Sequence, residues 1–159
     1  MKKLLNLLFI GLAFATLVFL TSCGKKDDGP KPKTGAETNA ALLNGTWTVD
    51  DAQGKGVKFG TDAAAGDWSG FRLTISGATK EGGNYTAAGT SDAYEEGVWP
   101  ASGSWTFDND QGDQITRSDK TKITAVIAES TVVLQFSIPD PAARVAGIRG
   151  EQWTFNLKK

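Results

Sequence analysis

The chain has 159 residues with 18 acidic and 17 basic side chains, and its formal net charge of −1 gives no indication of a nucleic-acid partner. It contains no histidine and one cysteine, which excludes an intramolecular disulfide, a Ser-His or Cys-His nucleophile and the usual zinc sites. We therefore expect a protein that is not an enzyme and that needs neither a metal nor a cofactor.

The first 22 residues have the layout of a secretory signal peptide. A basic start, Met1-Lys2-Lys3, precedes an almost wholly apolar run over residues 4–20 and the small residues Thr21 and Ser22. An uncleaved membrane helix is the alternative, because roughly 17 apolar residues can span a bilayer. Both interpretations place the rest of the chain outside the cytoplasm, since the two lysines hold the N-terminus inside.

The only cysteine follows this run directly. Leu20-Thr21-Ser22-Cys23 resembles the bacterial lipobox, which consists of an aliphatic residue, two small residues and an obligatory cysteine. The resemblance implies that the Cys23 thiol receives a diacylglyceryl group, that residues 1–22 are removed as a signal peptide, and that the new amine is acylated. One acyl chain binds a membrane only marginally, at about 0.8 kcal/mol per buried CH₂, so three chains would anchor the protein almost permanently.

Residues 23–35 are predicted to form a tether behind the lipidated cysteine. Gly24 stands where an aspartate would resemble an inner-membrane retention signal, which favours delivery to the outer membrane. Lys25-Lys26-Asp27-Asp28 resembles the export signal of surface-exposed lipoproteins in some Gram-negative bacteria, the alternative being a charged, well-solvated linker. Residues 29–35 are rich in proline, glycine and lysine and are typical of an extended spacer.

Apolar residues alternate with polar ones in most of the chain after residue 36. Because successive side chains of a strand point to opposite faces, this pattern predicts strands with one buried face. The alternating sets are Trp47 and Val49; Phe71, Leu73 and Ile75; Trp105 and Phe107; Ile123, Ala125 and Ile127; Val132, Leu134, Phe136 and Ile138; and Trp153, Phe155 and Leu157. Threonines take many of the intervening positions, as suits a solvated strand face.

Turn sequences separate these strands. They are Glu81-Gly82-Gly83-Asn84, the acidic stretch 108–113 and Pro139-Asp140-Pro141. A short helix is predicted over residues 37–43, ahead of the first strand. The sequence therefore predicts one all-β domain over residues 36–159, an antiparallel barrel or barrel-like sandwich of about 7–8 strands with a short N-terminal helix.

The start of this domain resembles a known class. A short helix followed by Gly45-x-Trp47 is similar to the lipocalin-like domains of many bacterial lipoproteins, in which the tryptophan closes one end of a small up-and-down barrel. The stretches 99–107 and 153–157 are also similar to these domains. The resemblance covers residues 37–159 and implies a barrel. The domain is shorter than a typical lipocalin, which leaves an open barrel or an immunoglobulin-like sandwich as alternatives.

An aromatic group with neighbouring carboxylates is the candidate ligand site. Trp68, Tyr94 and Trp99 lie near predicted strand ends, and Glu95 and Glu96 follow the tyrosine. Aromatic rings can stack on the apolar face of a sugar while carboxylates accept hydrogen bonds from its hydroxyls. In the alternative interpretation, the two tryptophans close the barrel ends as core residues. The glutamates are adjacent and would point oppositely in a strand, so they do not form an acid/base pair.

Three aspartates, Asp108, Asp110 and Asp113, crowd one predicted turn and could in principle supply calcium ligands. The spacing does not fit an EF-hand, because Gly112 occupies a ligand position and the twelfth residue is Asp119 rather than glutamate. We interpret them as solvated turn residues.

The barrel interior is the second candidate site. Eight strands leave room either for side chains alone or for one small ligand. The inward side chains are large, so we expect a filled interior with at most a small pocket or one at the mouth. Among them are Trp47, Phe71, Trp105, Phe136, Trp153 and Phe155.

These features together predict an outer-membrane lipoprotein that the acyl chains on Cys23 hold to the membrane, with a domain that is either displayed at the surface or kept inside. We expect a non-catalytic module that binds a glycan or a small apolar ligand. The alternative is a structural or accessory lipoprotein that contacts other outer-membrane proteins.

Overall fold

The computed structural model describes residues 33–89, 98–138 and 152–159. In these ranges the chain forms a helix, α1, over Gly35–Leu43, and ten strands. The strands are β1 Gly45–Val49, β2 Val57–Phe59, β3 Asp62–Ala63, β4 Arg72–Thr79, β5 Gly82–Ala88, β6 Ser102–Phe107, β7 Gln114–Arg117, β8 Lys122–Ile127, β9 Thr131–Phe136 and β10 Trp153–Lys158.

Eight of the strands close into an antiparallel barrel. The order is β1, β4, β5, β6, β7, β8, β9 and β10, and β10 pairs back to β1 through Val49 and Leu157. The prediction of an all-β barrel with a short N-terminal helix is thus confirmed, and the sandwich alternative is excluded. The short β2–β3 hairpin follows β1 along the same edge of β10, where β2 pairs with residues 153–155.

The interior is filled by the predicted alternating side chains. Each of the apolar sets contributes buried residues, and the rings of Phe71, Phe136 and Phe155 meet at its centre with centroids 5.2 and 5.7 Å from the Phe155 ring. Threonines such as Thr46 and Thr74 face outward, with their hydroxyl oxygens 3.0 Å apart. The core is therefore a packed aromatic interior and not an open channel.

Helix α1 closes one end of the barrel. Its first turn is fixed by a capping box between Thr34 and Glu37, in which each side chain binds the other residue's backbone N–H. At its C-terminal end, the indole N–H of Trp47 donates to the Leu43 carbonyl over 2.8 Å. The Lys159 ammonium donates to a carbonyl of the last turn and lies 4.6 Å from the centroid of the Trp47 ring. A cation at this end also complements the helix dipole.

The acidic turn 108–113 holds the helix in place. The Ala36 N–H donates to the Asp110 carbonyl over 2.9 Å, and the Asn39 amide donates to two carbonyls of the turn. Gly112 has a φ of 71°, and a Cβ there would lie 2.6 Å from the Ala36 Cα atom, so only glycine permits this approach. The turn therefore has a packing role in this fold.

The predicted turn Glu81-Gly82-Gly83-Asn84 is wrong in its position. The chain reverses at residues 80–81, and Gly82 already begins β5. A Cβ at Gly82 would lie 2.0 Å from the carbonyl oxygen of Trp105 on β6. The glycine is needed here because β5 and β6 approach closely and because its φ of 139° favours glycine.

Gly103 provides a test of how tightly this part of the interior is packed. It pairs with Tyr85, whose ring lies across it, so that an alanine Cβ would lie 2.7 Å from the Tyr85 Oη atom. We expect Gly103→Ala to lower the free energy of unfolding by about 1–3 kcal/mol, because the ring has to shift within a packed core. Urea unfolding measures this loss. The matched control Ser104→Ala, on the exposed face of the same strand, should change stability by less than about 0.5 kcal/mol. Equal effects of the two substitutions would contradict the close packing of Tyr85 on Gly103.

Candidate functional site

The two predicted ligand-binding tryptophans, Trp68 and Trp99, lie at the barrel end opposite α1. Trp99 precedes β6, and the turn 108–113 at the far end of that strand contacts α1. Trp68 precedes β4, near whose far end the Ala78 N–H donates to the side chain of Asn44, the C-cap residue of the helix. Trp68 is 6% exposed and Trp99 is 3% exposed. The structure thus places both in the core, which is the position that the alternative interpretation gave them, and neither presents a ring face to solvent for sugar stacking.

Trp68 and Trp99 pack against the same two phenylalanines. The centroid of the Trp68 ring lies 5.9 Å from that of Phe71 and 5.2 Å from that of Phe155. The Trp99 ring lies 6.0 and 5.8 Å from the same two rings. The steep interplanar angles at Phe155 match the edge-to-face geometry that aromatic pairs prefer. Burial of such large rings stabilises the barrel end.

The other predicted site residues lie outside the described residues. They are Tyr94, Glu95 and Glu96 of the candidate ligand site and Cys23, the predicted lipidation site.

The barrel end opposite α1 also contains a buried arginine, which the sequence patterns did not predict. Arg117 is on β7, pairs with Trp105 on β6, and points into the barrel with 2% of its surface exposed. Its guanidinium carbon lies 4.6 Å from the Trp99 ring centroid and 5.2 Å from that of Phe136. It also donates to the Val98 carbonyl over 3.0 Å. The arginine thereby holds the residues that lead into β6 against the barrel.

Asp119 compensates the charge of this arginine. Its carboxylate accepts hydrogen bonds from Nε and Nη2 of Arg117 and from the backbone N–H of Thr121. Partial burial alone would raise the pKa of Asp119, but the hydrogen bonds and the positive charge of Arg117 outweigh burial and hold that pKa below its ordinary value. The two partners differ in their exposure to solvent: 1% of the arginine side chain is exposed, against 36% of the aspartate side chain.

A small cavity lies beside this pair. Its volume is about 20 Å³, and it is lined by Tyr85, Trp99, Trp105 and Arg117 together with aliphatic side chains of β4, β7, β8 and β9. Burial raises the pKa of the Tyr85 hydroxyl, so this group stays protonated. A space of this size holds one particle about as large as water, whereas small-molecule sites measure about 300–1,000 Å³. Among the described residues, this cavity is therefore as small as the sequence predicted for any pocket in the interior.

Among the described residues, the aspartates whose pKa departs from its ordinary value all have it lowered. Hydrogen bonds lower the pKa of Asp50, Asp67 and Asp108, whereas a general acid needs a raised one. Asp108 is bonded to Lys122 and Thr116, and Asp113 to Asn109. Within residues 33–89, 98–138 and 152–159, no group of three or more acidic, histidine or cysteine side chains could hold a metal ion.

In the described part of the chain, no helix has the length and apolar character needed to cross a membrane. No family model matches the chain, and comparison with curated proteins and with solved structures gives no match. The function of this protein must therefore be inferred from its own sequence, fold and interior.

Proposed function

We propose that this protein is a lipid-anchored lipoprotein of the bacterial outer membrane whose barrel serves as a structural or accessory module and contacts other envelope proteins through its outer surface. The packed interior carries this proposal. Among the described residues, the cavity inside the barrel measures about 20 Å³, which is too small for a glycan or a lipophilic ligand and supports the outer surface as the working surface.

The anchor in this proposal rests on the lipobox-like Leu20-Thr21-Ser22-Cys23 and the spacer over residues 29–35. Acyl chains on Cys23 would fix the domain at the membrane, and the spacer would separate it from the lipid surface. This placement keeps the barrel at a high local concentration next to other anchored proteins, so that even weak contacts become effective.

The outer surface is polar and in part regular. Thr46, Thr74, Thr86 and Ser102 stand side by side on β1, β4, β5 and β6, because each pairs with the next across the sheet. Within the described ranges, Val126 on β8 is the large apolar side chain that is exposed. A polar surface of this kind suits small, hydrogen-bonded and reversible contacts more than a permanent interface.

The second candidate function is glycan or small-ligand binding at the barrel end opposite α1. The burial of Trp68 and Trp99 removes two of its five predicted contacts from the surface. This function then depends on Tyr94, Glu95 and Glu96.

Photo-crosslinking in whole cells tests the proposed function. A photoreactive residue in place of Thr86, within the hydroxyl row, should give a discrete adduct with an envelope protein, whereas the same residue in place of Val126, on β8, serves as the matched control. We expect mass spectrometry of the native protein to find Cys23 acylated and residues 1–22 removed. The Cys23→Ser variant should keep residues 1–22, because the lipobox cysteine is lost, and should give no adduct, because the contact depends on anchoring at the outer membrane. An unmodified Cys23 with residues 1–22 still attached in the native protein would contradict the anchor. The absence of an adduct at Thr86, or an equal adduct at the Val126 control, would contradict the accessory role. Saturable binding in a glycan and lipophilic-ligand panel would favour the second candidate.

A further inference from the structure

The loop between β3 and β4 is anchored to the barrel by one ring. Of residues 65–70, Trp68 is buried and the other five are exposed. The Trp68 ring meets three rings of the barrel at steep angles, 62° to Trp153, 68° to Phe71 and 90° to Phe155, with centroids 5.2–5.9 Å apart. If this ring left its position, no other buried side chain of the segment would hold it against the barrel.

The hydrogen bonds of this segment stay within the loop. The Trp68 indole N–H donates to the Ala65 carbonyl over 3.0 Å, and the Phe71 N–H donates to the Trp68 carbonyl over 3.0 Å. Among the described residues, no hydrogen bond joins residues 65–70 to a strand of the barrel. Movement of the segment therefore breaks no hydrogen bond to the barrel, and the indole N–H keeps its acceptor while it moves.

A segment built in this way has a low local stability. Regions with few buried apolar contacts and few hydrogen bonds to the rest of the fold open locally, at a lower free energy than global unfolding requires. Gly66 and Gly70 flank residues 67–69, and Gly66 has a φ of 97°. Neither glycine has a side chain to pack, and small residues at such positions often absorb the backbone rotation of a hinge.

We propose that residues 65–70 form a lid that opens while the barrel stays folded, and that a small aromatic ring then takes the position of the Trp68 side chain. The space that the lid uncovers has the shape of an indole. It is lined by Phe71, Trp153 and Phe155, which are 0% exposed while the lid is closed. Three ring partners at steep angles favour an aromatic occupant over an aliphatic one of the same size. This inference does not rest on the proposed accessory role.

Hydrogen exchange of the full-length chain in detergent, followed by NMR, tests the lid. The Trp68 indole N–H and the Phe71 backbone N–H both depend on the lid. They should exchange with similar opening constants that urea hardly changes, because local opening exposes little surface. The Trp47 indole N–H, which donates to Leu43 over 2.8 Å, is the matched control. It should exchange at least about a hundredfold more slowly and speed up with urea. Equal rates and equal urea dependence for the two indoles would overturn the lid.

Indole added to the same sample tests the pocket. Because indole competes with the Trp68 side chain for one position, it should raise the open population. Exchange of the Trp68 indole N–H should then accelerate by about tenfold at ten times the dissociation constant of indole for the open lid. The Trp68→Ala variant leaves the pocket vacant and gives that constant directly. Cyclohexanol, an aliphatic ring, should accelerate exchange by less than about twofold at the same concentration. Slower or unchanged exchange up to the solubility of indole would overturn the pocket, even if Trp68→Ala fails to fold.

Discussion

Replacing Trp99 with alanine is expected to lower the free energy of unfolding by about 3–5 kcal/mol, the range for removing a large aromatic side chain from a core. The Trp99 ring contacts those of Phe71, Phe136 and Phe155 and lies under the guanidinium of Arg117. The substitution removes all these contacts at once and leaves a cavity that the surrounding rings cannot fill.

Urea unfolding with circular dichroism measures this loss, and two variants calibrate it. Trp99→Phe keeps a ring and should lose less than the alanine variant. Val126→Ala truncates a side chain that is 65% exposed and should change stability by no more than about 0.5 kcal/mol. If Trp99→Ala were as stable as the wild type and instead lost binding to a glycan, the interpretation of this residue as a ligand contact would be correct and its role in the core would not.

The strands that could be predicted are those with a clear alternation of apolar residues. The patterns around Trp47, Phe71 and Trp153 correspond to β1, β4 and β10 with the predicted faces buried. Such local patterns predict a strand and its buried face because one face of each strand is in the core. Six of the eight barrel strands carry such a pattern, namely β1, β4, β6, β8, β9 and β10.

Strand β5 has no clear apolar alternation, because the small residues Gly83 and Ala87 flank Tyr85 on its inward face. Gly83 on β5 lies opposite Trp105, Gly103 on β6 lies opposite Tyr85, and each glycine leaves space for the ring of its partner. A glycine that makes room for a side chain on the next strand looks like a turn residue in the sequence. The pairing that explains it is visible only in three dimensions.

The candidate site was harder to predict than the fold. Trp68 and Trp99 could be either ligand contacts or core residues in the sequence. Both precede a strand, so no alternation of apolar and polar residues indicates whether their side chains point inward or outward. Arg117 was missed because a charged residue in a strand normally faces solvent. The Arg-x-Asp pattern over residues 117–119, followed by Thr121, was the available signal, but its inward direction depends on the pairing with Trp105.

Removing the carboxylate of Asp119 should destabilise the protein because it leaves a buried guanidinium without a counter-charge. We expect Asp119→Ala to cost about 3 kcal/mol at pH 7, the lower end of the range for breaking a buried ion pair, since part of this carboxylate faces solvent. The double variant Arg117→Met/Asp119→Ala should recover much of that loss, because a buried ion pair can be replaced by apolar atoms at little cost. A double-mutant cycle by urea unfolding gives the coupling, and additive losses would contradict the pairing.

The same pair predicts how stability depends on pH. The pKa of Asp119 is lower in the folded state than its ordinary value of 3.8, so the unfolded state binds a proton first as the pH falls. The stabilisation is therefore complete above about pH 4 and is lost as the pH falls through the folded-state pKa. The difference in unfolding free energy between the wild type and Asp119→Ala should be constant from pH 7 to about pH 5 and shrink below about pH 4. Because other aspartates titrate in both proteins, this difference isolates Asp119, and a gap that stayed constant down to about pH 2 would show that its carboxylate does not stabilise Arg117 by charge.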